Sequence, residues 1–278
     1  MARLGGTGKQ PGAARGILGT VTTVVSVHSF RGGTGKSNTT ANVAANLTAA
    51  GARVAVIDTD VQSPGIHTLF GFDQTLEQTL DDYLWGRIDI KGAVHDVTDR
   101  VGTADGGKLF LVPASMRASD IARILRDGYD VVKLNEGFRD LSEGLDLDYL
   151  FIDTHPGLNE ETMLSITVSD VLLLLLRPDK QDFQGTAVTV DIARRLSVPN
   201  LLLVLNKVPE PVDMDDLRTQ MDQAYGAPTA AILPLSTQMV INASGGLFSL
   251  SHPDHPWSEG IRGIAGHLRE GAGQHHSA

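Results

Sequence analysis

The chain has 278 residues, 41% of them apolar, enough to bury one large core without a second domain. Its 33 acidic residues outweigh 23 basic ones for a net charge of −10, so the molecule as a whole is repelled by nucleic acid and anionic lipid, although a local basic patch can act at short range. It contains no cysteine, which excludes disulfides, thiolate zinc sites, iron–sulfur ligation and cysteine nucleophiles within this sequence.

Residues 1–19 are rich in Gly and Ala and carry Arg3, Lys9 and Arg15 with no acid before Asp58. They lack the apolar core of a secretory signal, so a tail ahead of a domain spanning 20–271, with a second short tail at 272–278, is the expectation, in a cytoplasmic protein. Strands are predicted at 21–27, 53–57, 109–112, 148–153, 171–176, 201–205 and 230–233, continuously apolar as in parallel strands covered on both faces. Helices are predicted at 37–50, 76–85, 118–126, 131–141, 183–196, 214–225 and 256–269. The alternation predicts an α/β fold with a doubly wound, mostly parallel sheet and helices on both faces. The longest apolar run, 171–176, is far short of the roughly 20 residues needed to cross a bilayer. The segments 86–107 and 242–256, rich in Gly, Asp, Ser and His, read as surface loops.

The string GGTGK occurs twice. The copy at residues 5–9 has four residues before it and Gln10, Pro11 and Gly12 after it, so neither strand, hydroxyl nor helix accompanies it, and it reads as tail. The copy at residues 32–36 follows the strand VTTVVSV and runs into Ser37 and SNTTANVAANLTAAG, a helix-compatible stretch with a Gly stop. Here the chemistry of phosphate binding is complete. Gly32, Gly33, Thr34 and Gly35 can turn backbone N–H groups toward a phosphate, the helix start from Lys36 through Asn38 adds its positive dipole end, Lys36 reaches the β and γ phosphates, and the Ser37 hydroxyl can ligate Mg²⁺. The general pattern G-x-x-x-x-G-K-[ST] has glycine where this chain has Phe30, so the loop is a variant.

Ligands meet open α/β sheets at the carboxyl ends of the strands, which singles out Asp58, Asp60 and Asp153 among the acids; Asp58 is equally suited to capping a turn. Asn206 can present its amide to adenine in bidentate fashion, and the N-K-x-D signature of guanine readers is broken here by Pro209, which favours ATP over GTP. His252 and His255 lack further ligands nearby and read as a plain loop; Arg117, Arg123 and Arg126, interleaved with Asp120 and Asp127, read as a solvated face.

RGGTGKS with TTANVAANL resembles the deviant Walker A loop of the ParA/MinD family of P-loop ATPases, with Asn42 at the family's helix position. VAVIDTDVQSPGIHTLFG is similar to its second strand and switch I, LFIDTHPGL to its Walker B and switch II, and LLLVLNKV, then AILPLS with NASGGLFSLSHPDHPWSEGIRGIAGHL, to its base-contacting strand and closing segment. The resemblance covers about residues 20–270. It implies ATP and Mg²⁺ as cofactors, with Asp60 near the attacking water, Asp153 on the metal through water, Gly157 near the γ-phosphate, and Asn206 and Pro234 around the base. It also implies a homodimer in the ATP-bound state, with non-specific DNA or a protein adaptor as partner.

Two departures matter. The family's signature Lys, which reaches the partner's phosphates across the dimer, is Arg31 here; it keeps the charge and offers a planar fork, so cross-dimer contact stays an expectation. His155 stands where switch II commonly has Pro or an apolar residue; it reads as a hydrogen-bonded loop histidine and stays outside the catalytic set of Lys36, Asp60 and Arg31. The missing cysteines argue against iron–sulfur relatives. The C-terminal GAGQHHSA offers no basic amphipathic membrane tip, so no membrane anchor is evident. The reading is an ATP-hydrolysing dimerisation switch that positions or partitions a cargo; the alternative is a nucleotide-sensing module with little turnover.

Overall fold

The computed structural model describes residues 21–72, 76–103 and 106–275. The first GGTGK copy and the predicted tail 1–19 lie outside them. Eight strands form one sheet: β1 (Thr23–His28), β2 (Arg53–Asp58), β3 (His95–Asp96), β4 (Lys108–Val112), β5 (Tyr149–Asp153), β6 (Val171–Leu176), β7 (Asn200–Val208) and β8 (Thr229–Pro234). Their spatial order is β3-β4-β2-β5-β1-β6-β7-β8, parallel except for the short antiparallel pair β3–β4. β1 therefore stands where the order reverses, with β5, β2 and β4 on one side and β6, β7 and β8 on the other, the position at which open α/β sheets take ligands.

The period of two decides which face each strand residue covers. On β2, Val54 and Val56 join the core under helix α1 (Lys36–Ala49) and the final helix, while Ala55 and Ile57 enter the core on the opposite face. On β6, Leu173 and Leu175 face the first of these cores, and Leu172, Leu174 and Leu176 face a third. Burial on both faces explains the unbroken apolar runs.

The remaining helices are α2 (Leu80–Leu84), α3 (Ala118–Asp127), α4 (Val131–Gly144), α5 (Glu160–Thr167), α6 (Lys180–Arg195), α7 (Met214–Tyr225), α8 (Thr237–Asn242), α9 (Phe248–Ser251) and α10 (Pro256–His275). Helix α2 is shorter than the predicted 76–85 because Thr79 and Asp82 close a capping box at its start. Helix α5 was not anticipated, although Asn159, which accepts from the Thr162 N–H at 2.8 Å, and the first-turn acids Glu160 and Glu161 mark its start. Two predicted surface loops prove to be partly core: Ile90, Ala93 and Val97 in one and Phe248 in the other are buried. No helix among the described residues is long and apolar enough to cross a membrane.

Candidate functional site

The second GGTGK copy links β1 to α1 as a tight loop. Gly33 and Gly35 have φ of +75° and +98°, in the left-handed region where a Cβ is strained. Gly35 is the N-cap of α1 and no side chain caps that helix, whose first turn also carries no acid. The first-turn N–H groups are thus left to an external acceptor, with the positive end of the dipole behind them. A Cβ on Gly35 would collide with the Asn206 amide, which donates through Nδ2 to the Thr34 carbonyl at 2.8 Å. Lys207 Nζ donates to the Gly33 carbonyl at the same distance. A register break in β7 between Leu205 and Val208, with Lys207 at φ +61°, turns both side chains onto the loop.

Strand pairing delivers the acids. Asp58 and Asp153 are register partners on β2 and β5, and Asp60 follows two residues beyond. Asp58 accepts from the Asp60 and Gly65 N–H groups at 3.0 and 3.3 Å, so it shapes the turn that presents Asp60. Burial, then the Asp153 and Asp60 carboxylates, push its pKa well up. Burial likewise raises Asp153, to about 6, against the lowering effects of a Ser37 hydrogen bond, the Lys36 charge and Thr40. The Thr40 hydroxyl, one turn into α1, stands 3.1 Å from Asp153 Oδ1. His28 ends β1 beneath the loop; burial, then Lys36 and His155, push its pKa down to about 3, so it is neutral.

His155 Nδ1 lies 2.6 Å from Asp60 Oδ1. The sequence reading of a hydrogen-bonded loop histidine describes its geometry, and its partner is Asp60. Arg31 projects the other way, toward Asp179 and Asp182 at the start of α6, with Nη1 3.8 and 3.7 Å from their carboxylates. Asn42 turns away from the loop and accepts the Ser249 N–H of α9 at 2.8 Å.

Beside the loop a cavity of about 200 Å³ is lined by Gly35, Asn38, Asn206, Lys207, Pro234, Met239 and Trp257, among others. The Asn206 side chain bonds within the protein through both polar atoms, Nδ2 to the Thr34 carbonyl and Oδ1 from the Lys207 N–H, while it also lines the cavity. Lys207, whose Nζ bonds the Gly33 carbonyl, is absent from the sequence-based set of site residues; the N-K pair at 206–207 is its signal. A larger cavity of about 680 Å³ opens at the start of β1 against α4, at the strands' amino ends and away from the loop and acids.

The other candidates are structural. His255 bonds Ser236 and the Trp257 N–H, and both His255 and His252 pack on Phe248. Arg117 pairs with Asp82 and Asp120 in a partly buried network, Arg123 lies over the Trp85 ring, and Arg126 pairs with Asp127, so the three arginines form no free basic strip.

The donors suit a hard divalent cation: a serine hydroxyl and a carboxylate are oxygen ligands, and Asp58 and Asp153 set two buried carboxylates side by side on neighbouring strands. No group of three or more His, Cys, Asp or Glu among the described residues is arranged to hold an ion alone. A Mg²⁺ at Ser37 and Asp153 would thus depend on phosphate oxygens and water for its remaining positions.

A doubly wound sheet with a glycine loop between its central strand and an uncapped helix, flanked by acids from two neighbouring strands, defines a P-loop nucleotide-binding protein. A family model for the AAA domain matches residues 22–198. The chain belongs to that family, and within it to the ParA/MinD-like P-loop ATPases. An uncharacterized ATP-binding protein of Methanocaldococcus jannaschii is 24% identical over 246 residues, 88% of this chain and 86% of the relative. An iron-sulfur cluster carrier protein of Deinococcus radiodurans is 26% identical over 255 residues, 87% of this chain and 67% of that protein. The septum site-determining protein MinD of Pyrococcus horikoshii OT3, solved as a complex with Mg-ADP, superposes with a TM-score of 0.73 at 19% identity, covering 91% of this chain and 98% of that one.

Proposed function

We propose that this protein is an ATP-hydrolysing switch that dimerises around bound Mg-ATP and positions or partitions a cargo, with DNA or a protein adaptor as partner. The convergence of the 32–37 loop and the uncapped start of α1 with Asp60 and Asp153 at the carboxyl ends of the central strands carries the reading. In it, the loop amides of Gly32, Gly33, Thr34 and Gly35 and the ammonium of Lys36 hold the phosphates, Ser37 and, through water, Asp153 hold Mg²⁺, and Asn38, Asn206 and Pro234 border the base. A bound Mg²⁺ would supply neutralisation of phosphate charge; the protein supplies position and electrostatics, which phosphoryl transfer mainly needs. Asp60 orients the attacking water, and Arg31 reaches the partner's phosphates once a dimer forms.

One observation favours a second reading. Arg31 is engaged by Asp179 and Asp182 of its own chain, which suits a nucleotide-sensing module with little turnover. The relatives named iron-sulfur cluster carriers do not transfer that role here, because this sequence has no cysteine to ligate a cluster.

Phosphate release measured with and without DNA tests both. On the hydrolytic reading Lys36→Ala abolishes ATP binding, while Asp60→Ala keeps it and traps the dimer. Equal turnover in Asp60→Ala sinks the assignment of Asp60, and tight ATP binding with zero release by the wild type supports the sensor.

A further inference from the structure

We propose that His155 is a positioning residue for Asp60: it fixes the carboxylate that orients the attacking water and ties switch I to switch II. This rests on the hydrolytic reading above. The pair is a product of strand register. Asp58 and Asp153 face each other as the last partners of β2 and β5, and Thr59 extends the pairing by donating its N–H and hydroxyl to the Asp153 carbonyl at 2.9 and 3.0 Å. One residue further on, Asp60 and His155 meet, with Nδ1 2.6 Å from Oδ1.

Both ends of the contact are anchored. On the Asp60 side, Oδ1 also accepts the Ser63 N–H at 3.1 Å, and the Asp60 N–H is held by Asp58. On the His155 side, the Thr154 hydroxyl donates to the Val27 carbonyl at 2.9 Å, the Thr162 hydroxyl to the His155 carbonyl at 3.3 Å, and the Gly157 N–H to the Ser29 carbonyl at 3.2 Å. The histidine is therefore pinned to β1, to α5 and to the phosphate loop. The side chain of Asp60 accepts both of these bonds on Oδ1, which leaves Oδ2 as the oxygen to take a hydrogen from water. A carboxylate on a loop otherwise samples several rotamers, and fixing one in advance removes that ordering cost from the reaction. A carboxylate only accepts, so Nδ1 carries the hydrogen of this bond.

The test is steady-state phosphate release against ATP concentration, with ATP affinity measured separately, for the full chain and its His155 variants. His155→Ala should lower kcat about tenfold, as expected for loss of a charge-assisted hydrogen bond, with KM and ATP affinity changed less than about twofold. His155→Asn, whose amide occupies the place of Nδ1, should recover most of kcat; His155→Gln, whose amide reaches the place of Nε2, should not. In an Asp60→Ala background, His155→Ala should add nothing, because the two act as one unit. Unchanged kcat in His155→Ala, Gln rescuing as well as Asn, or additive losses in the double variant each overturn the proposal. If His155→Ala fails to bind ATP, the Asn and Gln pair decides alone. A wild type that binds ATP without turnover rejects the hydrolytic reading; a wild type that turns over as fast as His155→Ala rejects the role of His155 only.

Discussion

The Arg31 guanidinium stands 3.7 Å from the carboxylate of Asp182, in the first turn of α6. That carboxylate is buried and already accepts from the Arg177 N–H at 2.9 Å and from its guanidinium at 2.9 and 3.1 Å. Arg31 is the outer, half-exposed member of the trio, and such a contact contributes little to stability. Arg31→Ala should therefore change folding stability by less than about 0.5 kcal/mol. Asp182→Asn should cost about 2–3 kcal/mol, because Arg177 loses its buried partner. Urea unfolding of the two variants separates the cases, and a large loss in Arg31→Ala would make that residue structural.

Gly185 lies in α6 directly under the Phe30 ring, where an added Cβ would overlap the ring atoms. Gly185→Ala should destabilise the protein by about 1–3 kcal/mol despite the better helix propensity of Ala. In a Phe30→Ala background the same change should cost nothing or stabilise. Thermal unfolding of the four-member cycle measures this, and an equal cost in both backgrounds would show that the ring is not what excludes a side chain at 185.

Asn42 accepts the Ser249 N–H at 2.8 Å, and Asn46 donates to the Ser249 hydroxyl at the same distance, so α1 is tied to α9 by two amides. Removing the first leaves a buried N–H without an acceptor, at a cost of about 2 kcal/mol. Asn42→Ala should lower stability by that amount with ATP affinity unchanged within about twofold. Lost affinity at unaltered stability would move Asn42 into the nucleotide site.

Asp81 and Asp82 are neighbours with opposite pH behaviour. Burial pushes Asp81 up to about 6, although it accepts the Ser115 N–H at 2.7 Å. For Asp82, burial opposes, and hydrogen bonds from Arg87, Thr79 and Arg117 outweigh it to bring the carboxyl down to about 2. A raised carboxyl binds its proton more tightly in the folded state, so the Asp81 contribution favours folding at low pH and is lost as pH rises from about 4 to about 6. The Asp82 contribution is present above about pH 4 and is lost as pH falls toward 2. Asp81→Asn should thus gain stability relative to wild type as pH rises between 4 and 6, by up to about 2 kcal/mol, and no further above. Denaturation midpoints at pH 4, 5, 6 and 7 read this directly; a difference independent of pH would place the Asp81 carboxyl in a solvated setting.

The strand runs, the helix α1 and the glycine loop at residues 32–36 between β1 and α1 were legible in the sequence because each depends on residues adjacent in the chain. Apolar runs announce strands covered on both faces, and a glycine loop between strand and helix announces an anion site. Element ends were less legible where a cap sets them: α6 begins at Lys180, not 183, because Asp179 caps it, and the predicted loops at 86–107 and 242–256 hid buried apolar positions among polar ones.

By itself the sequence determined an α/β sheet with a phosphate-type loop at its centre and acids at its strand ends. The tertiary structure alone decided how those groups are used. Asp60 and His155 are 95 residues apart in the chain, Thr34 and Asn206 172, and Asn42 and Ser249 207. No local pattern encodes such pairs; the register of β2 on β5, the break in β7 and the packing of α1 against α9 bring them together. For that reason the histidine that reads as a hydrogen-bonded loop residue stands against Asp60, and the asparagine that reads as a base contact also donates to the Thr34 carbonyl of the glycine loop.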